Sequence, residues 1–438
     1  MWGTMTENEI RDFLLDNHAN SLHSLIVGSR TPLALPKNTF PSIAQLLQHK
    51  TEQKINKMIE DLESLQLDGK EVRLVRDGDS ITRIDLLGSI GESGDLVIIE
   101  LKKSGQTERQ AFTELLGYAN HFCTLFPPLS ESSLQTILIA PMEGRGVRDA
   151  LAQELIINDK NVIALIPTVS NGSVSLEVYY PTDIYYRWIE NNVLNDGSMT
   201  VVTASFPLID GWIDAGEPGG EPPSYTQNAF KTMTGLIAQR LESAGLHGFV
   251  YARQHWAEAC PAFPNPNALV MCIVNPFSSR RTSSLDGVVF GESHQARLDA
   301  VQAIADQVSS NEYWLDNLHS AFMGQAIRIM QESFDEFFMS RNGTAISPEI
   351  SLPDWWGFKT SMIEAVICHN MHIRLTGILR TIFNDYIAHC YKNGMDDIYF
   401  SDDLPKFGYI AHDHFLAVWE ILSGLSWTPE YSDDDAHN

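Results

Sequence analysis

The chain has 438 residues, of which 44% are hydrophobic and 20% are charged, and its formal net charge at pH 7 is −26. This length and composition predict two or three globular domains and exclude a disordered chain. A surface this acidic does not hold nucleic acid over its whole extent. Any contact with phosphates therefore requires a local basic patch, a metal ion or a partner.

The sequence carries no sign of a membrane span or a secretion signal. No apolar run approaches the length of a transmembrane helix, and the polar, acidic start lacks the regions of a signal peptide. The five cysteines are scattered and never form a Cys-x-x-Cys pair. We therefore expect a cytoplasmic protein without disulfides and without a cysteine zinc site.

Hydrophobic periodicity predicts helices over residues 6–27 and 41–66, followed by strands over 71–77, 82–90 and 95–103. The next predicted elements are a helix over 106–122, a strand over 135–141, a helix over 146–157 and strands over 161–169 and 173–181. Strands that are first antiparallel and then interleaved with helices predict an α/β (α+β) domain.

The second half of the chain is predicted to be mostly helical from about residue 290, with a few strands before it. The segment 214–224 is rich in Pro, Gly and Glu and is typical of a linker or exposed loop. The predicted elements are strands over 199–206, 249–253 and 268–274, and helices over 225–245, 294–308, 312–340, 357–393 and 410–424. We therefore expect an N-terminal helical extension over 1–40, an α/β domain over 41–195 and a C-terminal domain over 196–438.

The stretch from Arg83 to Gln106 places charged residues at the end of an apolar strand. If residues 91–94 form a hairpin loop, Ile90 pairs with Asp95, and Asp85 then lies directly opposite Glu100. Directly opposed residues hold their Cβ atoms about 5 Å apart. Two carboxylates at this distance on buried strands repel each other, so one must be protonated or a cation must lie between them.

The residue types at this point favour a divalent ion with oxygen ligands. A few carboxylates that leave room for water suit Mg²⁺ or Mn²⁺. Because side chains alternate along a strand, Lys102 shares the face of Glu100 and lies opposite Arg83. A lysine there can orient the attacking water and offset negative charge that develops on a phosphate.

This combination of Asp85, a glycine-bearing hairpin loop, Glu100-x-Lys102 and a following helix resembles the PD-(D/E)XK, or restriction-endonuclease-like, nuclease superfamily. Over roughly residues 41–170, the predicted order of helix, three antiparallel strands, helix and strand is also similar to that core. The resemblance implies a restriction-endonuclease-like mixed sheet flanked by helices, followed by a largely helical C-terminal domain.

The resemblance also indicates further residues on the flanking helices. Related nucleases often carry Gln-x-x-x-Tyr in the helix after the motif. Tyr118 matches the tyrosine, whereas Glu114 stands where the glutamine would be, and Gln110 is the alternative one turn earlier. The superfamily commonly adds an acidic residue from the preceding helix, for which Glu52 is the first choice and Glu60 the second.

The function implied by the resemblance is a Mg²⁺-dependent (or Mn²⁺-dependent) endonuclease. Asp85, Glu100 and the backbone carbonyl of Leu101 would hold the ion, and Lys102 would stabilise the transition state. Weaker candidates for substrate contacts are Lys103, Arg109, Gln110 and Tyr118. DNA is favoured over RNA, and a nuclease with a large extra domain fits defence against foreign DNA. The C-terminal half would then sense a ligand, form a homo-oligomer or bind a partner protein.

Two other interpretations remain open from the residues alone. The Glu100-x-Lys102 pair could face solvent on an edge strand, where it would have no catalytic role. Alternatively, the chain could be a non-catalytic module that binds nucleic acid or protein through a nuclease-like core.

Overall fold

The computed structural model of the chain describes residues 5–37, 41–75, 82–91, 95–103, 105–126, 133–170, 172–190, 199–207, 209, 224–254, 264–275, 277, 295–308, 313–341, 346–353 and 373–393. The chain divides into two compact units, one comprising residues 1–35 and 44–186 and the other residues 36–43 and 187–438. Most of the predicted linker over 214–224 and the predicted helix over 410–424 lie outside the described residues. Within the described ranges, no helix is both long and apolar enough to cross a membrane.

The first unit contains a seven-stranded mixed sheet with helices beside it. The strands are β1 (Ile26–Val27), β2 (Leu65–Leu74), β3 (Thr82–Ile90), β4 (Asp95–Leu101), β5 (Leu134–Ile139), β6 (Val162–Ser170) and β7 (Ser173–Val178), in the spatial order β1-β7-β6-β5-β4-β3-β2. The helices are α1 (Glu7–His18), α2 (Ile43–Asp61), α3 (Gly105–Leu125), α4 (Arg145–Ala152) and α5 (Asp183–Trp188). Strands β2, β3 and β4 pair antiparallel, and β4, β5 and β6 pair parallel. The predicted α/β fold class with a mixed sheet is therefore confirmed.

The predicted register of β3 and β4 is also confirmed. Ile90 pairs with Asp95, and the same register continues to Leu86 and Ile99. Gly91 turns the chain out of β3 with a φ of +53°, a left-handed conformation that glycine adopts without steric cost. One face of this strand pair carries five apolar side chains that are at most 1% exposed: Ile84, Leu86, Val97, Ile99 and Leu101. Burial of this face fixes the register, because a shift of one residue would turn these side chains outward.

The N-terminal segment forms a shorter helix than the predicted 6–27. Helix α1 begins at a capping box, in which the Thr6 side chain accepts a hydrogen bond from the Glu9 backbone and the Glu9 carboxylate accepts one from the Thr6 backbone. It ends at His18, and a single 3₁₀ turn follows before β1. The Leu67 backbone N–H of β2 donates to the Ala19 carbonyl over 2.8 Å. This bond joins the end of α1 to the sheet.

The second unit is built on a five-stranded antiparallel sheet with helices packed on it. Its strands are β8 (Met199–Phe206), β9 (Gly248–Gln254), β10 (Asn267–Val274), β11 (Glu349–Ser351) and β12 (Ile373–Thr376), in the order β11-β8-β10-β9-β12. Its helices are α6 (Ser224–Ser243), α7 (Gln295–Gln307), α8 (Trp314–Arg341) and α9 (Gly377–Asn393). Phe206 of β8 contacts Phe230 of α6 and both Phe334 and Phe338 of α8. These aromatic rings form part of the core between sheet and helices.

One predicted helix of this unit is wrong over part of its length. The prediction of a helix over 357–393 fails at Ile373–Thr376, which form β12 and pair antiparallel with β9. Helix α9 begins only at Gly377, whose φ of +58° redirects the chain. Tertiary pairing with β9 overrides the local apolar pattern that favoured a helix.

Gly88→Ala is expected to destabilise the first unit by about 1–3 kcal/mol, because an added methyl group overpacks the sheet. Gly88 lies in β3 opposite Leu67 of β2, and a Cβ there would overlap the Gln66 carbonyl oxygen and lie 3.0 Å from Leu65 Cδ1. Urea-induced unfolding of the full chain measures the change. The matched control is Gly146→Ala in α4, where no described atom outside the adjacent residues and the backbone of α4 lies within 4 Å of the added carbon. Equal stability of the two variants would contradict this account of the β2–β3 packing.

Candidate active site

Asp85 and Glu100 lie on adjacent strands, and a hydrogen bond links the Asp85 side chain to the backbone of the residue that follows Glu100. Asp85 lies one residue before Leu86 on β3, and Glu100 one residue after Ile99 on β4, so the confirmed register places them opposite each other. The Leu101 backbone N–H donates to Asp85 Oδ2 over 2.9 Å. This bond fixes the Asp85 carboxylate beside the end of β4.

Lys102 immediately follows β4, and its side chain lies between two carboxylates. Its Nζ is 2.5 Å from Glu100 Oε1 and 2.6 Å from Glu114 Oε2. Its backbone N–H donates to the Ile139 carbonyl of β5 over 2.9 Å, which holds the chain at the strand end. The lysine side chain is therefore directed at the same point as the carboxylates and is only 13% exposed.

Burial and like charge shift the protonation of this cluster. Burial, and next the Asp85 charge, raise the pKa of Glu100 to about 9. Burial also raises the pKa of Asp85, although the bond from Leu101 opposes the shift. Burial alone would lower the pKa of Lys102, but its ion pairs with Glu100 and Glu114 outweigh burial and raise it. Without a cation, the two buried carboxylates are thus costly to ionise together.

Helix α3 contributes two residues to the cluster, and they lie one turn apart. Glu114 pairs with Lys102, and Tyr118 is buried with its hydroxyl donating to the Arg83 carbonyl over 2.7 Å. The tyrosine therefore ties α3 to the start of β3, next to Asp85. The helix presents Glu114 and Tyr118, the predicted Glu-x-x-x-Tyr pair, to the cluster.

The residues present fit a divalent cation. Glu100 is 3% exposed, and its Oε2 is buried without a hydrogen-bond partner, so one oxygen is available as a ligand. Across the described ranges, no group of three or more His, Cys, Asp or Glu side chains is arranged to hold a metal ion. A cation would therefore rest on the carboxylates of Asp85 and Glu100, and the carbonyl of Leu101, water and substrate would complete the oxygen ligands that Mg²⁺ or Mn²⁺ prefers.

Glu52, predicted as an additional ligand, is not brought to this cluster. Its buried carboxylate accepts hydrogen bonds from Arg30 Nη2, from the Leu33 backbone N–H at 2.7 Å and from Gln48 Nε2 at 2.9 Å. The bonds from Arg30 and Leu33 join α2 to the segment that follows β1. The sequence could not reveal this, because periodicity does not fix the rotation of α2 about its axis. Glu60, the second choice, is exposed on the same helix.

The weaker substrate-contact candidates lie at the edge of the cluster or outside the described side chains. Lys103 is exposed, and its backbone N–H donates to Glu7 Oε1 over 2.6 Å. Gln110 is exposed one turn before Glu114 on α3. The side chain of Arg109 lies outside the described residues.

Sequence analysis missed a second group of charged residues beside the site, contributed by α1 and β2. Glu7 accepts the Lys103 N–H and acts on Asp85 as a nearby negative charge. Arg11 Nη1 lies 3.8 Å from Asp85 Oδ1 and also pairs with Glu71. The only available signal was the spacing of Glu7 and Arg11, which places both on one helical face. That spacing does not reveal which strands the helix packs against.

The comparisons with known proteins include a partial structural match. No family model matches the chain, and no match was found among curated proteins. One similar solved structure is a repair endonuclease from Pyrococcus abyssi, with 20% sequence identity and a TM-score of 0.16. The match covers 24% of this chain and 43% of that chain, so it spans less than half of the endonuclease.

Glu100→Gln is expected to stabilise the metal-free protein increasingly as the pH rises. The folded state raises the pKa of Glu100 from 4.5 to about 9, so it holds the proton more tightly than the unfolded state. The wild type therefore loses stability between these two values, by at most about 1.4 kcal/mol per pH unit, whereas the amide loses no proton.

Denaturant unfolding in EDTA at pH 5 and pH 8 measures this difference for both proteins. Glu60→Gln serves as the control, because it removes an exposed carboxylate from the same unit. A free-energy difference between Glu100→Gln and wild type that stays constant with pH would refute the raised pKa.

Proposed function

We propose that the protein is a metal-dependent nuclease that hydrolyses phosphodiester bonds, and that its substrate is DNA. The observation that carries this proposal is the buried Glu100 carboxylate beside Asp85, with one unpartnered oxygen and with Lys102 directed at the same point. Strongly perturbed carboxylates concentrate at functional sites. An edge strand with a solvent-facing Glu–Lys pair would not bury Glu100 in this way.

Each residue of the cluster has a separate role in this proposal. Asp85 and Glu100 would hold the cation, and the Leu101 N–H orients the Asp85 carboxylate. A bound Mg²⁺ or Mn²⁺ would supply Lewis-acid stabilisation of the negative charge at the reacting phosphodiester. Lys102 adds a second positive charge where negative charge develops in the transition state. Tyr118 holds the start of β3 in place through the Arg83 carbonyl.

The proposed reaction consumes one water molecule for each bond cleaved. The water oxygen forms a bond to phosphorus, and the ester bond from phosphorus to the leaving oxygen breaks. The water loses one proton to solvent, and the leaving oxygen takes up one proton. The products are a strand end with a phosphomonoester and a strand end with a hydroxyl group.

The second unit is proposed to regulate or target the nuclease in defence against foreign DNA, in the cytoplasm. It would sense a ligand, form a homo-oligomer or bind a partner protein. The net charge of −26 fits an enzyme that engages nucleic acid weakly until such an event occurs.

Plasmid cleavage by the full chain tests the proposed function. The wild type is expected to nick or linearise supercoiled DNA in Mg²⁺ or Mn²⁺ and to be inactive in EDTA. Glu100→Gln, Asp85→Asn and Lys102→Met are each expected to lower the rate by about 100-fold or more, because the first two weaken binding of the cation and the third removes the positive charge that stabilises the transition state. Single-stranded RNA in parallel reactions tests the preference for DNA.

The control for this assay is Glu60→Gln, which should cleave like the wild type. Equal cleavage by all variants would show that the activity does not come from this site. If the wild type binds DNA but never cleaves it, with either ion, the non-catalytic interaction module becomes the better interpretation.

A further inference from the structure

Two arginine side chains converge on one carboxylate beside the candidate site. Arg11 Nη1 pairs with Glu71 Oε1, and Arg83 Nη1 donates to Glu71 Oε2 over 3.0 Å. The same Arg11 nitrogen lies 3.8 Å from Asp85 Oδ1. The point where the two guanidinium groups meet is therefore adjacent to a proposed metal ligand.

The backbone of β2 holds Glu71 in an unusual conformation. Its φ of +49° lies in the left-handed region, which residues other than glycine seldom adopt. The pairing of β2 with β3 is also irregular between Leu67 and Gly69, just before this residue. The Glu71 carboxylate that pairs with both arginines is thus carried by an irregular part of an edge strand.

The two guanidinium groups are fixed to different extents, and the carboxylate is accessible. The Arg11 side chain is 10% exposed, whereas those of Glu71 and Arg83 are 38% and 50% exposed. Arg11 Nε is buried and donates no hydrogen bond, and the Asp12 carboxylate lies 3.6 Å from it. The exposed Glu71 carboxylate can be displaced by another anionic oxygen, which Nη1 of Arg11 and Nη1 of Arg83 would then bind in its place.

We propose that Arg11 and Arg83 form a subsite for a backbone phosphate of the substrate, and that Glu71 occupies this subsite when nucleic acid is absent. The inference rests on the proposed function, because the phosphate belongs to the DNA that is cleaved at Asp85 and Glu100. Guanidinium groups match the geometry of phosphate oxygens and bind them through paired hydrogen bonds. A phosphate contact positions the strand without reading its sequence.

Glu71 therefore competes with the substrate. Removal of its charge should strengthen binding of nucleic acid, whereas loss of Arg83 should weaken it. If the ion pairs served only to attach α1 to the sheet, loss of Glu71 would not strengthen binding.

Fluorescence anisotropy of a labelled DNA duplex with the full chain separates these outcomes. All variants carry Glu100→Gln to prevent cleavage and are measured with Mg²⁺ and with EDTA over a range of salt. Glu71→Gln is expected to bind about three- to tenfold more tightly than this parent. Arg83→Gln is expected to bind about tenfold more weakly and to reduce the salt slope by about one. The gain from Glu71→Gln should shrink when Arg83→Gln is also present.

The matched controls are Asp149→Asn and Arg145→Gln, which break the exposed ion pair within α4 at 3.2 Å with the same changes of charge. They should change the affinity less than twofold. If Glu71→Gln fails to strengthen binding by the parent, or if the α4 variants have equal effects, the subsite is refuted while the proposed function stands. If the parent binds no nucleic acid in any condition, the proposed function fails and the subsite with it.

Discussion

The antiparallel register of β3 and β4 is the constraint on which the candidate site depends. It brings Asp85 opposite Glu100, and a shift of one residue would move one of them to the other face of the sheet. The apolar residues on the opposite face prevent that shift, because they are buried almost completely. Hydrophobic burial on one side of the strand pair thus fixes the position of the carboxylates on the other. The site is precise because strands of the sheet carry it, and not a loop.

The same burial makes the cluster unfavourable for the stability of the metal-free protein. Desolvation and the neighbouring Asp85 both oppose ionisation of Glu100, and Lys102 offsets only part of this cost. Lys102 is also shared with Glu114, so its single charge compensates two carboxylates. A cluster selected for stability alone would lack one of these acids or bury an apolar residue instead. Two neighbouring buried acids that resist joint ionisation are the arrangement that a bound cation would stabilise.

The parts of the fold that follow from local pattern could be predicted from the sequence, and the parts that depend on distant packing could not. Strands β3 and β4 are apolar segments separated in the sequence by only four residues, two of them glycine, so their antiparallel pairing could be predicted. Strand β12 follows from pairing with β9, more than a hundred residues away, and its own pattern suggested a helix. The prediction of Glu52 at the site is wrong because the sequence does not fix the rotation of α2 about its axis. Glu7 and Arg11 lie beside the site on α1, which the sequence predicts only as part of an N-terminal extension.

The ion-paired lysine and arginine side chains around the site suggest how a protein of strongly negative net charge would bind a polyanion. Three cations of the described residues around the cluster have anionic partners within the chain: Lys102 has Glu100 and Glu114, and Arg11 and Arg83 share Glu71. Such pairs lower the attraction for phosphates at long range but leave correctly placed donors once a carboxylate is displaced. Binding then depends on exchange of one anion for another at fixed positions. In the proposed mechanism, a polynucleotide whose phosphates reach both the Arg11–Arg83 subsite and the proposed metal site would gain more from this exchange than an isolated phosphate, which would contact only one of them. This difference favours a polymeric substrate over small phosphate esters.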